Sequence, residues 1–150
     1  MPVKSSPFLR KVRIRACGIL VENQRILLVK HLGLGIHGYF WSPPGGGTEF
    51  GESYQDTLIR ELMEETRLSV LPGEFLAFHE HIDDRFHAME LFFRAQIIGG
   101  EAVAGSEPES PDSEPFLEDV AWFTAAEINA MPAGTVHKLC RGFLDAAFAR

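Results

Sequence analysis

Glu61, Glu64 and Glu65 fall in one short run, RELMEE, of the 150-residue chain. At about 100° of helix per residue, these three carboxylates share roughly one 100° arc, while Leu58, Ile59 and Leu62 occupy another. One face would then pack and the neighbouring edge would gather negative charge. Like charges at i, i+3 and i, i+4 repel by roughly 0.2–0.5 kcal/mol per pair, so something should offset them. Arg60 can reach Glu64 at i+4, but one guanidinium cannot satisfy three carboxylates. A divalent cation can, because Mg²⁺ and Mn²⁺ prefer hard oxygen ligands and Mg²⁺ commonly combines one or two carboxylates with phosphate oxygens and water. The glycines at 45–47 precede this run and offer backbone groups with no side chain in the way, able to coordinate metal or approach phosphate.

The elements that must position these groups follow from pattern. Residues 53–66 contain no Gly or Pro and carry Tyr54, Leu58 and Leu62 at i, i+4 spacing, which predicts a helix. Residues 12–31 read as a hairpin: VRIRACGILV and ILLVKH are its strands and ENQR its turn. GLGIHG is loop, and YFWSP is a short extended piece that Pro43 and Pro44 keep from becoming helical. EFLAFHEHI and AMELFFRAQII predict strands around a turn at DDRF, and DVAWF a further strand. Residues 99–115, rich in Gly, Pro, Ser and acid, predict an exposed loop. Thr124 and Glu127 form a capping-box pattern for a short helix. A last helix is expected from about Thr135, burying Val136, Leu139, Cys140, Phe143 and Ala147. Strands interleaved with helices favour a mixed sheet covered by helices over a bundle.

Composition bounds the rest. The length suits one domain, 1–150, and the 45% hydrophobic content is that of a globular chain. A formal charge of -7 provides no basic footprint for duplex nucleic acid. It also means that a protein of this kind handling phosphate compounds needs a cation as intermediary. Cys17 and Cys140 sit in apolar patterns and read as buried, reduced thiols rather than a disulfide. Arg13 and Arg15 interrupt the only signal-like stretch, and no run approaches a membrane span, so no membrane association is expected and the expected location is the cytoplasm. His79, His81 and His87 suggest zinc by count, but their alternation around Glu80 fits a solvent-facing strand edge better. Trp41, Phe40 and Trp122 lie in apolar strands and read as packing residues rather than base-stacking ones.

Together these residues carry a family resemblance. The pattern G-x5-E-x7-R-E-U-x-E-E-x-G-U, with U a bulky aliphatic, reads here Gly46, Glu52, Arg60, Glu61, Leu62, Glu64, Glu65, Arg67 and Leu68. Eight of its nine fixed positions match, Arg67 standing where the pattern has Gly. The chain thus resembles the Nudix hydrolases, MutT-like, and FWSPPGGGTEFGES and EDVAWFTAAEI extend the likeness beyond the box. The resemblance implies an α/β/α Nudix sandwich with a mixed β-sheet. It implies Glu61 and Glu65 as metal ligands, Glu64 as a further ligand or holder of the reacting water, and the Gly45 carbonyl as another ligand. Glu52 would order the loop and Arg60 would orient the acidic cluster. A glutamate outside the box would complete the site or act as base, with Glu118 preferred over Glu109 and Glu114. The implied activity is Mg²⁺-dependent hydrolysis of a nucleoside diphosphate linked to another group, with Mn²⁺ as a substitute and a small nucleotide as substrate. A nucleotide-sensing Nudix domain without catalysis is the alternative, and the intact carboxylates favour the enzyme. An RNA-decapping hydrolase shares the chemistry but wants a basic surface. The resemblance also allows a homodimer, and no residue is assigned to nucleoside recognition. At Arg67 a left-handed residue is expected, at a cost of about 1 to 2 kcal/mol.

Overall fold

The computed structural model describes residues 10–105 and 116–141. Its elements run β1 (Val12–Ile19), β2 (Val21–Glu22), β3 (Arg25–Leu32), β4 (Tyr39–Ser42), β5 (Gly45–Gly47), α1 (Tyr54–Thr66), β6 (Ser69–Ile82), β7 (His87–Gly99), β8 (Phe116–Thr124), α2 (Ala125–Asn129) and a 3₁₀ turn at Lys138–Cys140. One sheet has the order β5-β1-β7-β6; in the other, β3 pairs with β2, β4 and β8. β1 and β7 are parallel and the remaining pairings antiparallel, so the sheet is mixed, as the sequence pattern suggested.

Alternation along the central strands builds two cores. Cys17, Ile26, Leu28 and Phe92 face Ile128 of α2 together with Val136 and Cys140. Their neighbours Ala16, Leu27 and Phe93 face Leu58 and Leu62 of α1. The sheets are therefore covered on both faces, the layered α/β arrangement that hides each strand's two sides. Leu58 and Leu62 are fully buried, each burial stabilising the helix dock by about 1.5–3 kcal/mol. Trp41 and Trp122 pack against the two cores, and Cys17 and Cys140 are buried free thiols.

Several expectations need correction. Residues 12–31 are not one hairpin. β3 turns back only onto the two-residue β2, through Asn23 and Gln24 with φ of 51° and 61°, a two-residue turn of left-handed residues. β1, whose Ala16 and Cys17 both need cover, lies instead between β5 and β7. The glycines at 45–47 form the edge strand β5. Ile59 does not share the buried face of Leu58 and Leu62; it is 44% exposed. Of the last expected helix, the described part is a 3₁₀ turn that His137 caps with its own ring nitrogen; Phe143 and Ala147 lie outside the described residues. Of the expected exposed loop, the described residues 101–105 are irregular and mostly exposed as expected, although the Val103 and Gly105 N–H groups donate to the Thr66 and Glu65 carbonyls at the end of α1. Among the described residues no helix is long and apolar enough to cross a membrane.

Candidate functional site

The acidic helix starts where the sequence placed it. Ser53 caps it by accepting the Asp56 N–H at 3.1 Å, and Arg67 ends it in the left-handed region at φ 62°. Between these ends, the helix lies along β5. Glu61 and Glu65 are each only 3% exposed. The Gly45 N–H donates to Glu65 Oε1 at 2.7 Å. A Cβ built on Gly46 would fall inside the Glu61 carboxylate, so only glycine lets this side chain lie against the strand.

Arg60 organises the cluster. Its Nε and Nη2 donate to the two Glu52 oxygens at 2.8 and 2.9 Å, its Nη1 to Glu61 Oε1 at 2.8 Å, and Nη2 also to the Gly47 carbonyl at 3.0 Å. Glu64, at 3.5 Å from Nη1, is held weakly. Glu52 also accepts from the Thr57 hydroxyl and the Glu49 N–H, tying the turn before α1 to the helix. The Arg60 fork, helped by Thr57 and Glu49, holds the Glu52 carboxyl at about 2, well below its ordinary 4.5. Glu52, Arg60, Glu61, Glu64 and Glu65 thus converge as the box spacing required. Glu118 does not join them: it stands on β8 in an ion pair with Lys30 at 2.8 Å. Glu109 and Glu114 lie outside the described residues.

The donor set fits a hard divalent cation. Buried carboxylates of one helix face meet the backbone of a glycine strand, with oxygen donors and no thiolate among them. Glu61 and Glu65, with Glu64 and the Gly45 carbonyl, are the groups that could hold it.

A second polar group lies on the other face of β1 and β7, and sequence reasoning missed most of it. The register puts Gly47, Arg15, Glu90 and His79 in one row across the sheet. Glu90 Oε2 accepts from Arg15 Nη1 at 3.0 Å; Oε1 lies 3.0 Å from His79 Nδ1 and 2.8 Å from His137 Nε2. Burial works against the Glu90 charge, but the hydrogen bond from His137 and the Arg15 cation outweigh it and hold the group at about 2. His79 does lie on an edge strand, β6, but it is half-buried, its ring held against Glu90. His81 and His87 fit the expectation better, in exposed pairs with Asp83 and Glu80. Glu90 carried a usable signal: it alternates with the apolar Ala88 and Phe92 at a position where a strand should bury.

A carboxylate-lined helix docked by glycine against a doubly covered sheet defines a class of layered α/β domain. The chain belongs to the Nudix family: the NUDIX domain model matches residues 10–140. It is 32% identical over 97 residues to an ADP-ribose pyrophosphatase of Methanocaldococcus jannaschii, covering 63% of this chain and 57% of that one. It is also 32% identical over 110 residues to an NAD-capped RNA hydrolase NudC of Pseudomonas putida, covering 73% of this chain and 36% of that one. The match thus spans less than two thirds of either relative. A crystal structure of a MutT NUDIX hydrolase from Burkholderia pseudomallei shares the fold, with a TM-score of 0.70 at 23% identity over 91% of this chain and 98% of that one.

Proposed function

We propose that the protein is a Mg²⁺-dependent nucleotide pyrophosphohydrolase that cleaves the phosphoanhydride of a nucleoside diphosphate linked to another group. The observation that carries this reading is the buried pair Glu61 and Glu65 against the Gly45–Gly47 backbone, within a box that keeps every carboxylate. The relatives support it: ADP-ribose and an NAD cap both join a nucleoside phosphate to a second moiety through such a bond. A divalent cation, when bound, neutralises phosphate oxygens and acidifies water. Glu61, Glu65 and the Gly45 carbonyl would hold it, and Arg60 and Glu52 keep the carboxylates from splaying. Glu64 is 27% exposed and barely engaged by Arg60, which suits a group that takes a proton. Glu118, engaged with Lys30, is the competing base. The buried, reduced thiols suit a cytoplasmic location.

The test is a panel of ADP-ribose, nucleotide sugars, dinucleotides and oxidised nucleoside triphosphates, incubated with Mg²⁺ or with chelator and read by product mass. Mg²⁺-dependent release of a nucleoside monophosphate is expected, with Glu65→Gln folded and nearly inactive. Glu64→Gln should lower kcat more than Glu118→Gln, and the reverse order would move the base to β8. Tight nucleotide binding without release would overturn the enzyme in favour of a sensor.

A further inference from the structure

Glu90 is a carboxylate where β7 should bury something apolar, and it is 4% exposed. An ionised group taken out of water costs several kcal/mol unless its lone pairs are filled, and here both oxygens are engaged, by Arg15, His79 and His137. The ligand atoms of His79, Glu90 and His137 lie within 4.8 Å of one another, close enough for a transition metal. The hydrogen bonds oppose that use. His137 Nδ1 accepts the Leu139 N–H at 3.1 Å, so the proton of the neutral ring sits on Nε2, the atom a metal would need. The Arg15 cation already occupies the other Glu90 oxygen. The cluster is a hydrogen-bonded relay.

The relay leads to the carboxylate helix. Arg15 Nη2 donates to the Gly45 carbonyl at 3.1 Å, and the Gly45 N–H donates to Glu65 at 2.7 Å. Both peptide groups flanking Gly45 are thus fixed, one from across the sheet and one from α1. A carbonyl has two lone pairs, so Arg15 aims this oxygen and leaves a second lone pair for a cation. The task needs a fork: a guanidinium can bridge Glu90 and Gly45 in one plane, and an ammonium cannot hold that geometry.

We propose that Glu90 is a positioning residue for hydrolysis: it holds the Arg15 fork on the Gly45 carbonyl and so sets the backbone ligand against Glu61 and Glu65. The inference rests on the metal-dependent reading above. Its test is Mn²⁺ titrated into the protein alone, with the free ion read by electron paramagnetic resonance, for wild type, Arg15→Lys, Glu90→Gln and the double variant. Each single variant should raise the Mn²⁺ Kd about tenfold. The double variant should be no worse than the weaker-binding single, because both changes cut one chain. Saturating Mn²⁺ should restore most of kcat, which general structural damage would not allow. Near-UV circular dichroism reports folding; if Glu90→Gln unfolds, the charge-conserving Arg15→Lys carries the test. A folded Arg15→Lys with a Kd within about twofold of wild type, or a double variant weakened about a hundredfold, overturns the proposal. A wild type that neither binds Mn²⁺ nor hydrolyses any nucleotide fails the parent reading instead. A wild type that does both, beside unaffected variants, fails only this one.

Discussion

Arg67 shows at a single position what the box glycine is for. It holds φ 62° at the end of α1 while its N–H donates to the Met63 carbonyl at 3.0 Å, so the turn is made by a residue with a Cβ where glycine would meet no steric penalty. Arg67→Gly should therefore stabilise the fold by about 1 kcal/mol, raising Tm by about 3 °C for a chain of this size, with metal affinity unchanged. Scanning calorimetry checks this, and a lower Tm refutes the explanation. The residues of the box, Glu52 to Glu65, were legible because one helix and its preceding turn bring them together and spacing alone specifies that geometry. Arg15, Glu90 and His137 were not, since Glu90 lies 75 residues from Arg15 and 47 from His137. Only strand register, which local pattern leaves open, makes them neighbours.

At the scale of elements, β5 decides how close the carboxylate helix can come to the sheet. Gly46 pairs with Ala16 in the ladder, and its missing side chain is the space that Glu61 fills. Gly46→Ala should leave the far core intact while pushing Glu61 off the strand. The expected result is a cooperative thermal transition together with a loss of kcat/KM of at least about tenfold, some 1.4 kcal/mol, and wild-type activity in this variant would show that the close approach is unimportant. From sequence the glycines could be given no partner, because three residues without side chains carry no alternation. For the same reason residues 12–31 looked like a local hairpin: Asn23 and Gln24 do make the turn, but the apolar residues on both sides of β1 satisfy their burial with β5 and β7, from more distant parts of the chain. The helix spanning 54–66 and the Thr124–Glu127 capping box were readable because their information is local.

At the scale of the whole molecule, Glu52 and Glu90 link stability to acidity. Glu52 is held at about 2 chiefly by Arg60, and Glu90 at about 2 by His137 and Arg15 against its own burial, each from an ordinary 4.5. A carboxyl whose pKa falls on folding favours the native state whenever it is ionised in both states, so its contribution is complete above about 4.5 and disappears as pH falls towards 2. The two groups lie on opposite sides of β1: Glu52 braces the turn before α1, and Glu90 joins β7 to Arg15 and the His137 segment. Protonating them loosens the helix and the far cover together, so unfolding should remain one cooperative transition. Urea midpoints should therefore drop steeply between about pH 4.5 and 2. Glu52→Gln, which removes one of the two depressed carboxyls from a partly exposed position, should start from lower stability at pH 7 and lose less on acidification. A wild-type midpoint that holds constant down to pH 2.5 would mean that neither carboxylate gains anything from its partners on folding.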